Sequence, residues 1–189
     1  TFEGGAIISA TEEMKLKIDQ LKNFGHAGED SVVATGINGK MNEVSSALGL
    51  LQLKHIDSVL NQREVVDRRY RLKLDGIVGI RCLSTSGETK ANYSYFPILV
   101  GDTFALSRDQ LYDFLLSKGV HPRKYFYPLI SEFDMYCDLP SSNVDNLSNA
   151  SRAAEQILCL PIYPDLSLDQ VDLITNAIIS CQQSGGNSE

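Results

Sequence analysis

Residues 36–53, Gly-Ile-Asn-Gly-Lys-Met-Asn-Glu-Val-Ser-Ser-Ala-Leu-Gly-Leu-Leu-Gln-Leu, join a turn bearing two glycines, an amide and a cation directly to a helix that is apolar nearly all round in its first turns. Such a helix has no face to leave in water, so it requires burial on more than one side. Gly36 and Gly39 let the backbone approach a ligand closely or adopt φ > 0. Asn38 brings amide donors and Lys40 a positive charge, residue types suited to holding a phosphate. Together these features point to a ligand site at a domain or subunit interface. An ordinary loop followed by a core helix would use the same residue types.

Little else in the composition narrows the function, but it excludes several classes. The chain has 189 residues, 43% of them apolar and 22% charged, which is ordinary globular material. A formal charge of −7 argues against nucleic-acid or anionic-membrane binding, both of which need clustered cations. The lysines and arginines between Lys54 and Lys73 are interleaved with Asp57, Glu64 and Asp67, the pattern of a solvated helix face. Cys82, Cys137, Cys159 and Cys181 lie far apart, so reduced thiols in a cytoplasmic protein are expected, with no metal site. No stretch approaches the roughly 18 consecutive apolar residues of a membrane span.

Along the chain, Ala6-Ile7-Ile8 is a short apolar run of the kind found in a strand buried on both faces, and it predicts neighbouring strands that precede Thr1. Thr11 caps a first helix that carries Glu12 and Glu13 in its first turn and ends by Gly25. A long glycine-bearing loop, 25–41, leads to Asn42 as the cap of a second helix. That helix is expected to run unbroken to about Lys73, roughly 45 Å, as a strut between two domains. Strands are predicted over 77–83 and 93–100, with Pro97 placing an edge or bulge in the second. Ser107 with Gln110, and Ser167 with Gln170, form capping boxes for two further helices. Between them, Leu147, Ala150, Ala154, Ile157 and Leu158 mark another helix, stopped by Pro161.

In that order the pieces resemble the C-terminal part of the DegT/DnrJ/EryC1/StrS family of sugar aminotransferases. Phe2-Glu3-Gly4-Gly5 is similar to the family's Gly-Glu-Gly-Gly-type strand. Gly36 to Leu53 is similar to its G-x-N-x-[RK]-[ML]-x-E-x-x-A-A-x-x-x-x-Q-L loop and helix, and Leu160-Pro-Ile-Tyr-Pro164 to the Leu-Pro-Leu-Tyr-Pro before its last helix. The resemblance implies an α/β fold, the fold type I (aspartate-aminotransferase-like) of pyridoxal-phosphate-dependent transferases. This chain would be a C-terminal fragment of it. Residues 1–60 would be the end of the large cofactor-binding domain with a dimer-interface helix, 61–183 an α+β small domain, and 184–189 a frayed tail.

The same resemblance implies the chemistry. A homodimer would use pyridoxal 5′-phosphate to move an amino group from an amino acid, commonly glutamate, to a keto-sugar nucleotide. The Tyr-Phe-Tyr-Pro form suggests a dTDP-linked keto-deoxysugar. Asn38 would reach the cofactor phosphate of the other subunit, with Lys40 where many relatives carry Arg. Arg123, Tyr125 and Tyr127, in a segment similar to the family's R-x-Y-F-Y-P loop, would lie near the sugar nucleotide. His26, just after a helix C-terminus and near the glycine-bearing loop, is either a site-lining residue or an exposed cap. No lysine here matches the one that carries the cofactor, so no catalytic residue is expected within the chain. A dehydratase of the same family, or a non-catalytic interaction module docking through the apolar helix, are the rival readings.

Overall fold

The computed structural model describes residues 1–83 and 90–185. Its chain forms two compact units, Thr1–Asp57 and Ser58–Glu189. The tail expected to fray lies outside the described residues except for its first two positions.

The first unit is built around helix α1 (Glu12–Lys22), where the Thr11 hydroxyl accepts from the Met14 amide as the sequence predicts. The last carbonyls of α1 are taken up by the loop that follows. The Ile37 amide donates to Leu21 O and the Gly39 amide to Lys22 O, both at 2.8 Å. This packs backbone on backbone with no room for a side chain. A Cβ at Gly36 would lie 2.3 Å from the Gly25 nitrogen, and one at Gly25 (φ +83°) would lie 1.7 Å from Ala34 O. Gly36 therefore serves a close approach to the protein's own helix end, and Gly25 one to the loop backbone at Ala34.

One expectation for this stretch is corrected, the unbroken helix to Lys73, and two others find no partner among the described residues. No strand forms at 6–8, and Ile7 and Ile8 are 74% and 97% exposed, because no strand among the described residues pairs with them. The long helix is divided into α2 (Glu43–Leu53) and α3 (Ile56–Leu74), separated at Lys54 and His55. There the amides bond to carbonyls three residues back, Lys54 to Leu51 at 3.2 Å and His55 to Gln52 at 3.0 Å, which tightens the turn out of α-helical register. Asn42 caps α2 through Ser45 N at 2.9 Å as predicted. Its apolar residues, however, are not buried within this chain: Val44, Leu50, Leu51 and Leu53 are all exposed.

The second unit has a three-stranded antiparallel sheet of β1 (Ile80–Cys82), β2 (Phe96–Val100) and β3 (Ile157–Leu160), in the order β1-β2-β3. Pro97 lies in the central strand, one position past the point where β1 ends opposite Ile98, so it borders a partner only on the β3 side. Helices α4 (Arg108–Ser117), α5 (Ser148–Gln156) and α6 (Leu168–Gly185) complete the unit. Both capping boxes form, the Ser107 and Ser167 hydroxyls accepting from the Gln110 and Gln170 amides and each glutamine returning its side-chain oxygen to the cap. Val66, Tyr70 and Leu74 of α3, Leu111 and Leu115 of α4, and Val171, Ile174 and Ile178 of α6 close the core over the sheet. Arg69 of α3 grips Asp172 of α6, with Nε 2.8 Å from Oδ1.

Ile157 and Leu158 are strand rather than the end of a helix. The run Ile-Leu-Cys-Leu pairs with β2 from Leu99↔Ile157 to Phe96↔Leu160, and Cys159 exchanges two 2.9 Å backbone bonds with Arg123 on its other side. A strand paired with β2 along one edge, bridged at Cys159 on the other, and largely buried in the core outweighs local helical periodicity. We expect Leu158→Ala, which removes a side chain with no exposed surface, to destabilise the protein by about 2–5 kcal/mol. A lowered urea midpoint with an unchanged slope is the measurement that checks this.

Candidate functional site

The residues singled out in the sequence fall into two groups, one in each unit. In the first unit, Asn38 pairs as an isolated bridge with Asn23, and the His26 amide donates to Asn23 O at 3.0 Å, so both gather at the C-terminal end of α1. The Asn38 side chain is exposed and makes no hydrogen bond among the described residues. Its amide group is thus available to a ligand, while the backbone around it is fixed by the bonds to Leu21 and Lys22. The Lys40 ammonium stands 5.1 Å over the Phe24 ring, on a groove of about 700 Å³ that also includes Lys15, Asp19 and Lys22. Asp19 accepts from both of those lysines, which hold its carboxyl down at about 2. Lys15 and Lys22 are therefore already paired, and Lys40 is the cation of this groove without an ion-pair partner among the described residues. His26 is half-buried, and its Nδ1 donates to Gly28 O at 3.3 Å, which ties the ring to its own loop.

In the second unit, Arg123, Tyr125 and Tyr127 occupy one short segment but face different neighbours. The Arg123 backbone is the partner of Cys159, and its side chain is exposed. Tyr125 lines a groove of about 530 Å³ with Asp67, Arg71, Tyr93, Tyr95 and Ile157. Its ring meets Tyr95 edge-on at 5.1 Å and Phe126 at 4.2 Å. Tyr127 instead stacks with the Arg108 guanidinium, 4.6 Å from the ring centre.

The charged wall of the Tyr125 groove is internally balanced. Asp67, nearly buried, accepts from Arg71 Nε at 2.6 Å, and Arg71 also donates through Nη1 to Leu83 O at 2.9 Å. Arg68 is paired with Glu64. With those charges satisfied, the groove offers a ligand mainly the faces and hydroxyls of tyrosines. Burial and the neighbouring Glu64, to which it hydrogen-bonds, push the Tyr93 hydroxyl above its ordinary value. Such a surface suits a sugar ring or a planar base.

Sequence reasoning alone does not find Tyr93, Tyr95, Asp67 and Arg71. The tyrosines read as strand residues and the charged pair as solvated helix, because nothing local shows that α3 and the segment before β2 share a groove. The spacing of Tyr93, Tyr95 and Tyr125 around two prolines is the one available signal.

The comparisons with known proteins agree along nearly the whole chain. The model of the DegT/DnrJ/EryC1/StrS aminotransferase family matches residues 1–179. A dTDP-4-amino-4,6-dideoxy-D-glucose transaminase of Escherichia coli is 51% identical over 94% of this chain and 48% of its own length. A transaminase of the same description from Shigella dysenteriae is 46% identical over the same shares. Among solved structures, that of DesI in the presence of its TDP-sugar product superposes with a TM-score of 0.86 at 26% identity, over 97% of this chain and 46% of that one. The chain spans about half the length of these relatives.

The segment that carries Tyr125 is held partly by charge. Lys124 Nζ lies 2.6 Å from Asp109 Oδ1, and this hydrogen bond holds the Asp109 carboxyl below its ordinary value. A carboxylate whose pKa is lower folded than unfolded stabilises above the unfolded value, and that contribution is lost as pH falls through the folded one. We therefore expect wild type to exceed Asp109→Asn in stability at neutral pH, and the gap to close below about pH 4. Thermal melts of the two proteins across pH 2.5–7 (about the carboxylate range) provide the check.

Proposed function

Because this chain belongs to the DegT/DnrJ/EryC1/StrS aminotransferase family, we propose that the protein is a pyridoxal-phosphate-dependent aminotransferase that transfers an amino group from an amino acid, glutamate, to a dTDP-linked keto-deoxysugar. The match along residues 1–179 carries this reading. The choice of sugar nucleotide rests on the two transaminases that share about half of this chain's residues.

The cofactor supplies the electron sink for moving the amino group. This chain's part is to grip and to orient. The exposed Asn38 amide donates to the cofactor phosphate held by a second copy of the protein, and the ammonium of Lys40 adds a point charge beside it. The residues present fit that role, with an unpartnered amide on a braced loop and a lysine resting on a ring rather than on a carboxylate. The same second copy covers Val44, Leu50, Leu51 and Leu53, the apolar side chains that α2 leaves exposed, in a cytoplasmic homodimer.

In this reading residues 1–60 end the large domain and 61–183 form the small one. Tyr95 and Tyr125 pack on the sugar or base, and Arg123, whose side chain is exposed, pairs with the diphosphate. His26 is a further substrate-lining residue, its ring already fixed by Gly28.

Two outcomes test this. The full-length protein should show an absorbance band near roughly 400–420 nm from the bound cofactor. A protein that never acquires the band on incubation with pyridoxal phosphate would refute the enzyme reading. Asn38→Ala should weaken cofactor retention about tenfold, roughly one charge-assisted hydrogen bond, while leaving the melting temperature of the cofactor-free protein unchanged. Equilibrium dialysis that finds equal affinity in both proteins removes Asn38 from the phosphate site.

A further inference from the structure

Arg108 is a buried cation outside the groove and outside every role described so far. Only 4% of it is exposed, although it opens helix α4. Its Nη1 donates to Ala154 O at 2.8 Å and to Ile157 O at 3.4 Å, near the end of α5 and at the start of β3. Nε lies 2.7 Å from Asp109 Oδ1 as an ion pair without hydrogen-bond geometry, and makes no hydrogen bond among the described residues. The guanidinium also covers the Tyr127 ring at 4.6 Å. As a stability device this is poor, because a buried charge costs desolvation that a well-packed apolar side chain would avoid. What an apolar side chain could not do is hold three separate segments in fixed register through directed bonds and a planar face.

Those segments bracket Tyr125. On one side of it, the Arg123 backbone is bonded to Cys159 by two 2.9 Å hydrogen bonds. On that same side Lys124 joins Asp109 at 2.6 Å, next to Arg108 at the start of α4, and on the other side Tyr127 rests on Arg108 itself. Between the anchors Phe126 has φ +44°, a left-handed conformation that a bulky residue keeps only when its surroundings impose it. Ile157, whose carbonyl Arg108 holds, lines the groove together with Tyr125.

We infer that Arg108 is a positioning residue, which holds segment 124–127 through the Tyr127 ring so that Tyr125 forms the wall of the groove. The inference rests on the reading of that groove as the sugar-nucleotide site. Arg108 touches no substrate, so its effect falls on affinity rather than on the chemical step.

The test is a double-mutant cycle in the full-length protein, with dTDP-4-amino-4,6-dideoxy-D-glucose as the calorimetric probe. Arg108→Lys keeps the charge but loses the planar face, and should weaken binding about tenfold. Tyr127→Leu should weaken it by a similar factor, and Tyr127→Phe, which keeps the ring, should bind as wild type does. In the Tyr127→Leu background, Arg108→Lys should add no more than about a twofold loss, since the contact is already gone. In steady state, KM for the keto-sugar nucleotide should rise in both single variants with kcat nearly unchanged.

A purely structural arginine would lower stability in both backgrounds alike, and additive losses of affinity overturn the positioning role. Should Arg108→Lys fail to fold, the Tyr127→Leu and Tyr127→Phe pair decides, and wild-type affinity in Tyr127→Leu overturns it. A wild-type protein that binds the probe while the cycle is additive defeats this inference alone. A wild-type protein that binds no sugar nucleotide defeats the proposed function and the inference with it.

Discussion

Phe96 has no exposed surface, and the second unit is organised around its ring. On one side Tyr70 stacks against it at 4.7 Å and sends its hydroxyl to Pro161 O at 3.0 Å, which ties α3 to the chain just past β3. The Arg71 guanidinium lies 5.4 Å from the same ring, and its bonds to Asp67 and Leu83 O form the charged wall of the groove. One residue at the start of β2 therefore joins the apolar core to the candidate site. Its position in the central strand means that neither β1 nor β3 can shift in register without moving the groove.

The first unit depends on a different constraint, the unsatisfied carbonyls at the end of α1. Backbone amides from the loop Gly36–Gly39 reach them only because Gly25 and Gly36 have no side chain. The result is a loop held by its Ile37 and Gly39 amides, on either side of Asn38, with the Asn38 side chain left outside. A rigid support with a free donor is what anion binding favours, because little ordering remains to be done when the ligand arrives. Glycines that suggest contact with a ligand thus act one step earlier, by fixing the residue that would make it.

Both candidate regions have the same electrostatic character. Most charges near them are already paired: Asp19 with Lys15 and Lys22, Asp67 with Arg71, Glu64 with Arg68, Asp109 with Lys124. The groups left over are Asn38, Lys40, Arg123 and the tyrosines, and they define what a ligand would meet. A chain carrying a formal charge of −7 presents an anionic ligand with a few specific donors rather than a broad positive field.

Signals that act within a few residues are legible in the sequence by itself. The caps at Thr11, Asn42, Ser107 and Ser167 form as their spacing implies, and the motifs at 2–5, 36–53 and 160–164 point to the family that the comparison over residues 1–179 identifies. Local periodicity misreads Ile157 and Leu158, because a buried strand and a buried helix end share the same apolar residues and only pairing with β2 distinguishes them. The break at Lys54, the groove of Tyr95 and Tyr125, and the burial of Arg108 are likewise decided by tertiary structure. Arg108 reaches a carbonyl 46 residues away and Tyr70 one 91 residues away. Contacts across such separations depend on how the elements pack, which no window of neighbouring residues records.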